Sequence, residues 1–196
     1  MIDTMNGEIL ANKRGGRVRK HDYYPTPPEA TQALIDTQLI PKDGVVWECA
    51  CGEGYMSKVF EGNGYTVLSS DIEDYGYGQV FDFLGGGDPV DVKSIVTNPP
   101  FNISEDFIKK ALSLDVGVVA FLFKSQYWHA KKRIAIWEKY TPSYVFLLTW
   151  RPDFLMGKGG NAPTMECLWT VWIKGNTDTK LKLLRKPTQN NQRGLF

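Results

Sequence analysis

The four residues Asn98-Pro99-Pro100-Phe101 combine an amide acceptor, two prolines and an aromatic ring directly after a short apolar run. Prolines cannot extend a sheet ladder, so a strand must end here. The Asn98 side chain and the Pro99 carbonyl can accept the hydrogens of an amino group, while Phe101 offers a face on which a ring can stack. The motif therefore predicts a slot for a planar group bearing an amino substituent. The alternative is a rigid turn, which Asn-Pro pairs commonly open.

A second cluster, Cys49-Ala50-Cys51-Gly52-Glu53-Gly54, joins a predicted strand at residues 45–48 to a helix-forming segment. Glycines in such a strand-turn-helix unit let a ligand approach the backbone closely. The next predicted strand ends in Asp71, where a carboxylate can bind both hydroxyls of a ribose. Ser57 stands where a dinucleotide fingerprint has its third glycine, which argues against NAD and disfavours an NAD-dependent oxidoreductase.

Two further positions lie where they can reach the same ligand. Thr26 precedes a proline and, three residues later, Glu29, a capping pattern that predicts a helix over residues 27–37. We expect Thr26 and the helix N-terminus to lie against a ligand carboxylate. Asp82, in a predicted third strand at residues 80–83, is a candidate for binding a purine amino group and is equally compatible with an ordinary surface carboxylate.

These motifs need a scaffold, and the order of elements indicates which one. Predicted helices at residues 104–112 and 127–140 separate predicted strands, and the strands at 143–150 and 167–173 follow one another without a helix. Adjacent strands of that kind pair antiparallel. The pattern predicts a mostly parallel α/β sheet with one reversed strand near the C-terminus and helices on both faces.

Composition limits the class of protein. The chain has 196 residues, of which 42% are hydrophobic, enough for one domain with a sizeable core. Its apolar runs are far too short to span a bilayer and its N-terminus has no apolar signal region, so we expect a soluble, intracellular protein. The three cysteines indicate neither a disulfide framework nor a zinc site, and we expect no metal.

Charge is unevenly distributed, although the net charge is only +1. Basic residues concentrate in an arm at residues 1–22 and in a tail at residues 176–196, on either side of a more acidic domain at residues 23–175. Basic ends can hold a polyanion electrostatically, although they also occur as solvated tails. The candidates for phosphate contact are Lys13, Arg14, Arg17, Arg19, Arg151 and Lys158.

Together the motifs resemble those of class I S-adenosylmethionine-dependent methyltransferases of the DNA adenine-N6 type. Asn98-Pro99-Pro100-Phe101 matches the catalytic motif of that family in full, and Glu48-Cys49-Ala50-Cys51-Gly52-Glu53-Gly54 resembles its cofactor motif with Cys49 in place of proline. Tyr24-Pro25-Thr26-Pro27 resembles the segment that precedes the cofactor loop. The resemblance implies a Rossmann-like fold with a seven-stranded sheet and S-adenosylmethionine as cofactor.

The resemblance also implies the roles of individual residues. The catalytic set is Asn98, Pro99, Pro100 and Phe101. The cofactor-binding set is Tyr24, Thr26, Glu48, Ala50, Cys51, Gly52, Gly54, Asp71, Ile72, Asp82, Phe83 and Asn98. Aligning a methylsulfonium with an adenine amino group needs neither a metal nor a side-chain nucleophile, but reaching that group in duplex DNA requires flipping the base.

Sequence-specific members of this family carry a large recognition domain, and we expect none here, because only a loop at residues 151–165, the basic arm and the tail are available for that role. The resemblance therefore implies a compact, phage-like enzyme in the cytoplasm of a bacterial host, acting on duplex or single-stranded DNA with a short sequence preference, as a monomer or a dimer. Adenine in RNA and glutamine in proteins are alternative acceptors, and a non-catalytic DNA-binding or clamp-associated protein is a further alternative. The C-terminal residues Gln192, Leu195 and Phe196 resemble a peptide that binds the replication sliding clamp, and the alternative is an ordinary tail without a partner.

Overall fold

The computed structural model describes residues 24–87, 89, 91–160 and 162–188. Within these residues the α-helices are α1 Pro28–Ile35, α2 Tyr55–Gly62, α3 Ser104–Ser113 and α4 Ile134–Lys139. The strands are β1 Val45–Glu48, β2 Thr66–Asp71, β3 Gln79–Val80, β4 Val92–Thr97, β5 Val118–Lys124, β6 Tyr144–Leu148, β7 Cys167–Ile173 and β8 Lys180–Leu184. The arm at residues 1–22 and the candidate clamp-binding residues lie outside the described residues.

The strands form one sheet in the order β3-β2-β1-β4-β5-β7-β6-β8. All pairs are parallel except the two that β7 makes, with β5 and with β6. The predicted α/β architecture with one reversed strand is therefore confirmed, although the sheet has eight strands rather than seven. Strands β1, β2 and β3 follow one another from the middle of the sheet to one edge, and the strands from β4 onwards lie on the other side of β1. The strand order therefore reverses between β1 and β4, which opens a crevice at their carboxyl ends.

The central strand β5 is apolar and buried on both faces up to Lys124, because helices cover the sheet from both sides. Along β5, alternate residues enter two separate core clusters, with Leu122 in one and Phe121 in the other. Leu34 of α1 and Phe60 of α2 belong to the first cluster, and Ile108 of α3 belongs to the second. Burial on two faces fixes the carboxyl ends of the strands, where the candidate site lies.

The first helix begins one residue later than expected. Pro28 takes the first helical position, Pro27 is the N-cap and no side chain caps the helix. The prediction that Thr26 caps this helix was therefore wrong. A proline cap has no hydroxyl that could accept a helix N–H, and Thr26 is left buried in the segment before the helix. The inward face of the helix is formed by residues with 0–3% exposure, including Ala30 and Leu34.

Two other predicted elements are shorter or less regular than expected. The third strand ends at Val80 because a turn follows, in which the Gly85 N–H donates to the Asp82 carbonyl at 3.2 Å. The predicted helix at residues 127–140 is two 3₁₀ turns and then α4, interrupted where Ala130 is extended. The Arg133 guanidinium donates to the Tyr127 carbonyl at 2.9 Å across that break.

The segment predicted as a tail from residue 176 contains the eighth strand. β8 pairs in parallel with β6 over five residues, from Lys180 opposite Tyr144 to Leu184 opposite Leu148. The sheet thus extends beyond the expected domain boundary at residue 175. None of the helices in the described ranges has the length and apolar character that crossing a membrane requires.

Candidate functional site

A cavity of about 370 Å³ lies at the carboxyl ends of β1, β2 and β4. Its volume falls within the range of small-molecule sites. Its walls include ten of the twelve predicted cofactor-binding residues, namely Tyr24, Thr26, Glu48, Ala50, Cys51, Asp71, Ile72, Asp82, Phe83 and Asn98. The motifs that lie far apart in the sequence therefore meet in one place.

The two predicted residues outside the lining, Gly52 and Gly54, shape the loop that follows β1. The Gly52 N–H donates to Asp71 Oδ2 at 2.8 Å, which ties the loop to the end of β2. Gly54 has φ of 77°, and a Cβ there would lie 2.3 Å from the ring of Tyr77. Only glycine fits that position, because both the left-handed backbone and the close aromatic ring exclude a side chain.

Glu48 ends β1 with a carboxyl group that is 3% exposed and lines the cavity. Its Oε2 accepts a hydrogen bond from the Ser57 hydroxyl, and Ser57 in turn accepts one from the Ser69 hydroxyl at 2.7 Å. Burial raises the pKa of Glu48 from 4.5 to about 8, against the opposing effect of the Ser57 hydrogen bonds. The cavity is thus bordered by a carboxyl group whose pKa lies close to 8.

Asp71 ends β2 and projects a second carboxylate into the cavity. Burial raises its pKa, and the backbone N–H groups of Gly52 and Glu73 oppose that rise. Those two donors contact different oxygens of the carboxylate, Oδ2 and Oδ1. Each oxygen keeps a further lone pair for hydroxyl donors of a ligand.

An apolar wall completes the cavity. Ile72, Leu84 and Ile103 line it although 61%, 37% and 37% of their surfaces are exposed. Phe83 is buried behind them, with its ring centroid 4.8 Å from that of Phe107. Exposed aliphatic side chains around one cavity provide surface that a flat apolar ligand group would bury.

Asn98 follows β4 and lines the same cavity. Its amide nitrogen donates to the backbone carbonyl of Tyr24 at 3.2 Å. This bond fixes the orientation of the side-chain amide, so its Oδ1 is the atom available to accept hydrogens from another group. The prolines differ in position, since Pro100 lines the cavity whereas Pro99 is buried outside its lining.

The Phe101 ring lies beside this cavity and not in its lining. Its centroid is 5.6 Å from that of Tyr24, and the two planes meet at 41°. The Tyr24 ring also meets Phe154 edge-on at 6.1 Å, so the loop after β6 packs beside the motif. The Lys124 ammonium lies over both rings, 4.1 Å from Phe101 and 4.8 Å from Tyr24.

The predicted phosphate contacts within the described residues are exposed and lie in or beside that loop. Arg151 pairs with Glu166 at 2.8 Å, and Lys158 lies in the turn that follows Phe154. Lys13, Arg14, Arg17 and Arg19 lie outside the described residues.

Asp82 lines the cavity, but its Oδ1 accepts the Leu84 N–H at 2.9 Å.

Sequence reasoning missed several residues of the cavity, among them Tyr55, Tyr75, Asn102, Ile103, Leu84 and Phe107. Asn102 and Ile103 directly follow the Asn98 motif, and Tyr55 directly follows the glycine loop. Proximity to a motif was the signal that could have identified them. Phe107 carried no such signal, because it reaches the site from the first turn of α3.

No protein-family model and no curated protein matches this sequence, whereas solved structures do match the fold. One is a protein from Listeria monocytogenes described as a class I S-adenosylmethionine-dependent methyltransferase. The match has a TM-score of 0.59 and 13% identity, and it covers 92% of this chain and 70% of that one. The chain has the class I methyltransferase fold.

Two further proteins are similar to this class I methyltransferase fold. A protein from Pyrococcus horikoshii described as an RNA methyltransferase matches with a TM-score of 0.61 and 16% identity, over 85% of this chain and 96% of that one. A modification subunit of a protein described as a type I restriction enzyme from Vibrio vulnificus matches with a TM-score of 0.55 and 11% identity. That match covers 90% of this chain and 50% of the subunit.

Proposed function

We propose that this protein transfers a methyl group from S-adenosylmethionine to the N6 amino group of adenine in DNA. The observation that carries the proposal is the position of the Asn98 amide at the edge of the cavity that Glu48 and Asp71 line. This arrangement puts an acceptor for amino hydrogens beside a site suited to a nucleoside with a cationic tail.

The residues of the cavity fit S-adenosylmethionine. Asp71 has lone pairs for ribose hydroxyls, and the aliphatic wall around Ile72 and Ile103 suits the faces of an adenine ring. Glu48 is a buried carboxyl group whose ionised form an ammonium group would stabilise. When bound, the cofactor supplies an electrophilic methyl group on a sulfonium.

The contribution of Asn98 is to hold the acceptor amino group. Its Oδ1 and the Pro99 carbonyl accept the two amino hydrogens, which favours a pyramidal nitrogen with its lone pair free to bond to the methyl carbon. The cofactor, held by Asp71 and Glu48, would supply the methyl carbon and leave as a neutral thioether, and the methylated amino nitrogen would release its extra proton to solvent. Alignment and hydrogen bonding are all that the chain needs to provide.

Transfer of labelled methyl groups tests the proposal. Wild-type protein is incubated with labelled S-adenosylmethionine and, in parallel, with duplex DNA, single-stranded DNA, RNA and bulk protein. We expect N6-methyladenine in DNA. Absence of label from DNA while RNA or protein is labelled would refute the choice of acceptor, and absence of label everywhere despite cofactor binding would favour a non-catalytic protein.

Substitution of Asn98 tests its role in the same assay. Asn98→Ala should lower transfer by about 100-fold or more, the typical effect of losing a group that stabilises developing charge, while cofactor binding persists. Asn98→Asp should lose about 10-fold, because a carboxylate cannot donate to the Tyr24 carbonyl and leaves that acceptor facing a negative charge. Loss of cofactor binding together with activity would refute a role confined to the acceptor amino group, and would mean that Asn98 holds the cofactor or the local fold.

RNA adenine is the second candidate acceptor, favoured by the similarity to the Pyrococcus horikoshii protein. The modification subunit from Vibrio vulnificus supports DNA instead.

We propose that phosphate contacts come from Arg151, Lys158 and the basic arm, and that the enzyme prefers only a short target sequence.

A further inference from the structure

Ser57 is a polar residue in the first turn of α2, and 0% of its surface is exposed. A buried hydroxyl without a partner costs free energy, so its partners indicate what a serine does here. The Ser57 hydroxyl donates to Glu48 Oε2, and it accepts a hydrogen bond from the Ser69 hydroxyl at 2.7 Å. The helix after the glycine loop thus places a donor on a carboxyl group that lines the cavity.

The direction of these two hydrogen bonds matters for the charge of Glu48. A hydroxyl has one hydrogen, and because Ser69 fills a lone pair of Ser57, the hydrogen of Ser57 is directed to the carboxyl group. A hydrogen bond to an ionised acceptor is stronger than one to a neutral acceptor. The serine pair therefore favours the carboxylate over the neutral acid.

The other surroundings of Glu48 act in the opposite direction. Burial is the largest cause of its raised pKa, and the negative charges of Asp71 in β2 and Glu61 in α2 raise that pKa further. Ser57 lowers the pKa through its hydroxyl and also through its backbone N–H. The remaining titratable groups around Glu48 have pKa values that burial raises well above 9, namely those of Cys49, Cys51 and Tyr77.

We propose that Ser57 is a positioning residue for cofactor binding, which together with Ser69 keeps Glu48 ionised for the ammonium group of S-adenosylmethionine. Ser57 lies outside the lining of the cavity, so it acts through Glu48. A third glycine at this position would serve only the close packing of helix and strand, whereas serine adds a donor to the carboxylate. The inference rests on the proposed contact between Glu48 and the cofactor, and it is independent of which acceptor is methylated.

Calorimetric titration with S-adenosylmethionine between pH 6.5 and pH 9.5, without any acceptor, tests this role. Ser57→Ala removes the hydroxyl and keeps the backbone N–H that also favours the carboxylate. Ser70→Ala is the matched control, because Ser70 is a buried serine of β2 whose hydroxyl accepts from the Trp47 indole at 2.8 Å. Titration of the amino group of the ligand is common to all variants and cancels in the ratio of their affinities.

We expect the wild type to bind S-adenosylmethionine about tenfold more tightly than Ser57→Ala at pH 7, because a hydrogen bond to a charged group shifts an equilibrium by about that factor. Binding at pH 7 has to ionise Glu48, whose pKa is about 8. The ratio of affinities should approach one at pH 9.5, where the carboxyl group is ionised before the ligand binds. Ser70→Ala should keep the pH profile of the wild type.

Two further comparisons separate positioning from a purely structural role. In a Glu48→Gln background, Ser57→Ala should change the affinity by less than about twofold at every pH, because the amide cannot ionise. 5′-Methylthioadenosine has the nucleoside and the sulfur but no ammonium group, and the wild type and Ser57→Ala should bind it equally. A loss of affinity that is constant with pH, or that persists in either comparison, would overturn the inference and leave Ser57 as a packing residue.

Ser69→Ala provides a second variant if Ser57→Ala does not fold. Ser69 is only half-buried, and its loss removes the hydrogen bond that directs Ser57 towards Glu48, so the affinity should fall by a smaller factor with the same pH dependence. In that case, a Ser69→Ala profile identical to that of the wild type would refute the inference.

Failure of the proposed function gives a different result. If the protein methylates an acceptor other than DNA, the label is absent from DNA and the ratios of cofactor affinity stay as expected. If the wild type binds no S-adenosylmethionine at any pH, the inference falls together with the proposed function.

Discussion

Replacing Glu48 by glutamine should change how the stability of the protein depends on pH. Burial raises the pKa of Glu48 from 4.5 to about 8, so the folded chain keeps a proton that the unfolded chain releases. The contribution of this group to stability is therefore complete below pH 4.5 and is lost as the pH rises to about 8. The difference of about 3.5 pKa units between the folded and unfolded states corresponds to a contribution of at most about 5 kcal/mol to the free energy of unfolding.

Urea denaturation between pH 5 and pH 9, followed by tryptophan fluorescence, measures this effect. The variant Glu48→Gln keeps an oxygen that can accept the Ser57 hydrogen bond but cannot ionise. We expect the free energy of unfolding of the wild type, relative to this variant, to fall by about 3 kcal/mol from pH 5 to pH 7 and to level off above pH 8.

A difference between wild type and Glu48→Gln that stays constant with pH would refute the reasoning, because it would mean that Glu48 ionises equally in both states. The same group links pH to ligand binding. A cationic ligand near Glu48 favours the carboxylate, so binding of S-adenosylmethionine at pH 7 should release protons in the wild type and fewer in Glu48→Gln. Calorimetry in two buffers of different ionisation enthalpy measures that release.

The remaining predictions concern the glycine loop and the C-terminal peptide. Gly54→Ala should destabilise the protein by at least about 1 kcal/mol more than Gly64→Ala, whose φ of 80° carries the same backbone strain of about 1 kcal/mol without a clash. Equilibrium unfolding measures both, and equal losses would show that the Tyr77 ring simply moves away. We propose that the C-terminal peptide binds the sliding clamp, so the full chain should be retained on a purified clamp and deletion of Leu195 and Phe196 should abolish that retention. Retention that is absent in the full chain, or unchanged by the deletion, would refute the interaction.

The fold was predictable because its signals are local and agree with one another. Alternation of strands and helices, with glycine and proline at the turns, predicted a parallel sheet with a reversed strand, and the structure has that sheet. The apolar run at β5 reflects burial on both faces, which leaves no polar side to mark a surface. The carboxyl ends of β1, β2 and β4 then necessarily place Glu48, Asp71 and Asn98 along one edge.

The failures have local physical causes. The sequence predicts a tail at β8 because basic residues concentrate at this end of the chain, yet the alternation in Lys180-Leu181-Lys182-Leu183 is the period of a strand. The predicted start of α1 is one residue too early because both Pro27 and Pro28 can occupy the first position of a helix. The position of Lys124 over two rings depends on contacts between distant segments, which no local pattern encodes.

The parallel direction of β8 determines where the two ends of the described chain emerge. Because β8 runs in the same direction as β6, Leu184 lies at the carboxyl edge of the sheet. Lys186 then pairs with Glu29 at 3.5 Å, beside the start of α1. Tyr24, at the other end, lines the cavity. A module joined directly to residue 24 or to residue 188 would thus stand at the edge of the sheet that holds the cavity, so fusions at these two positions should be designed with long linkers when access to the cavity matters and with short ones when delivery to a tethered target is wanted.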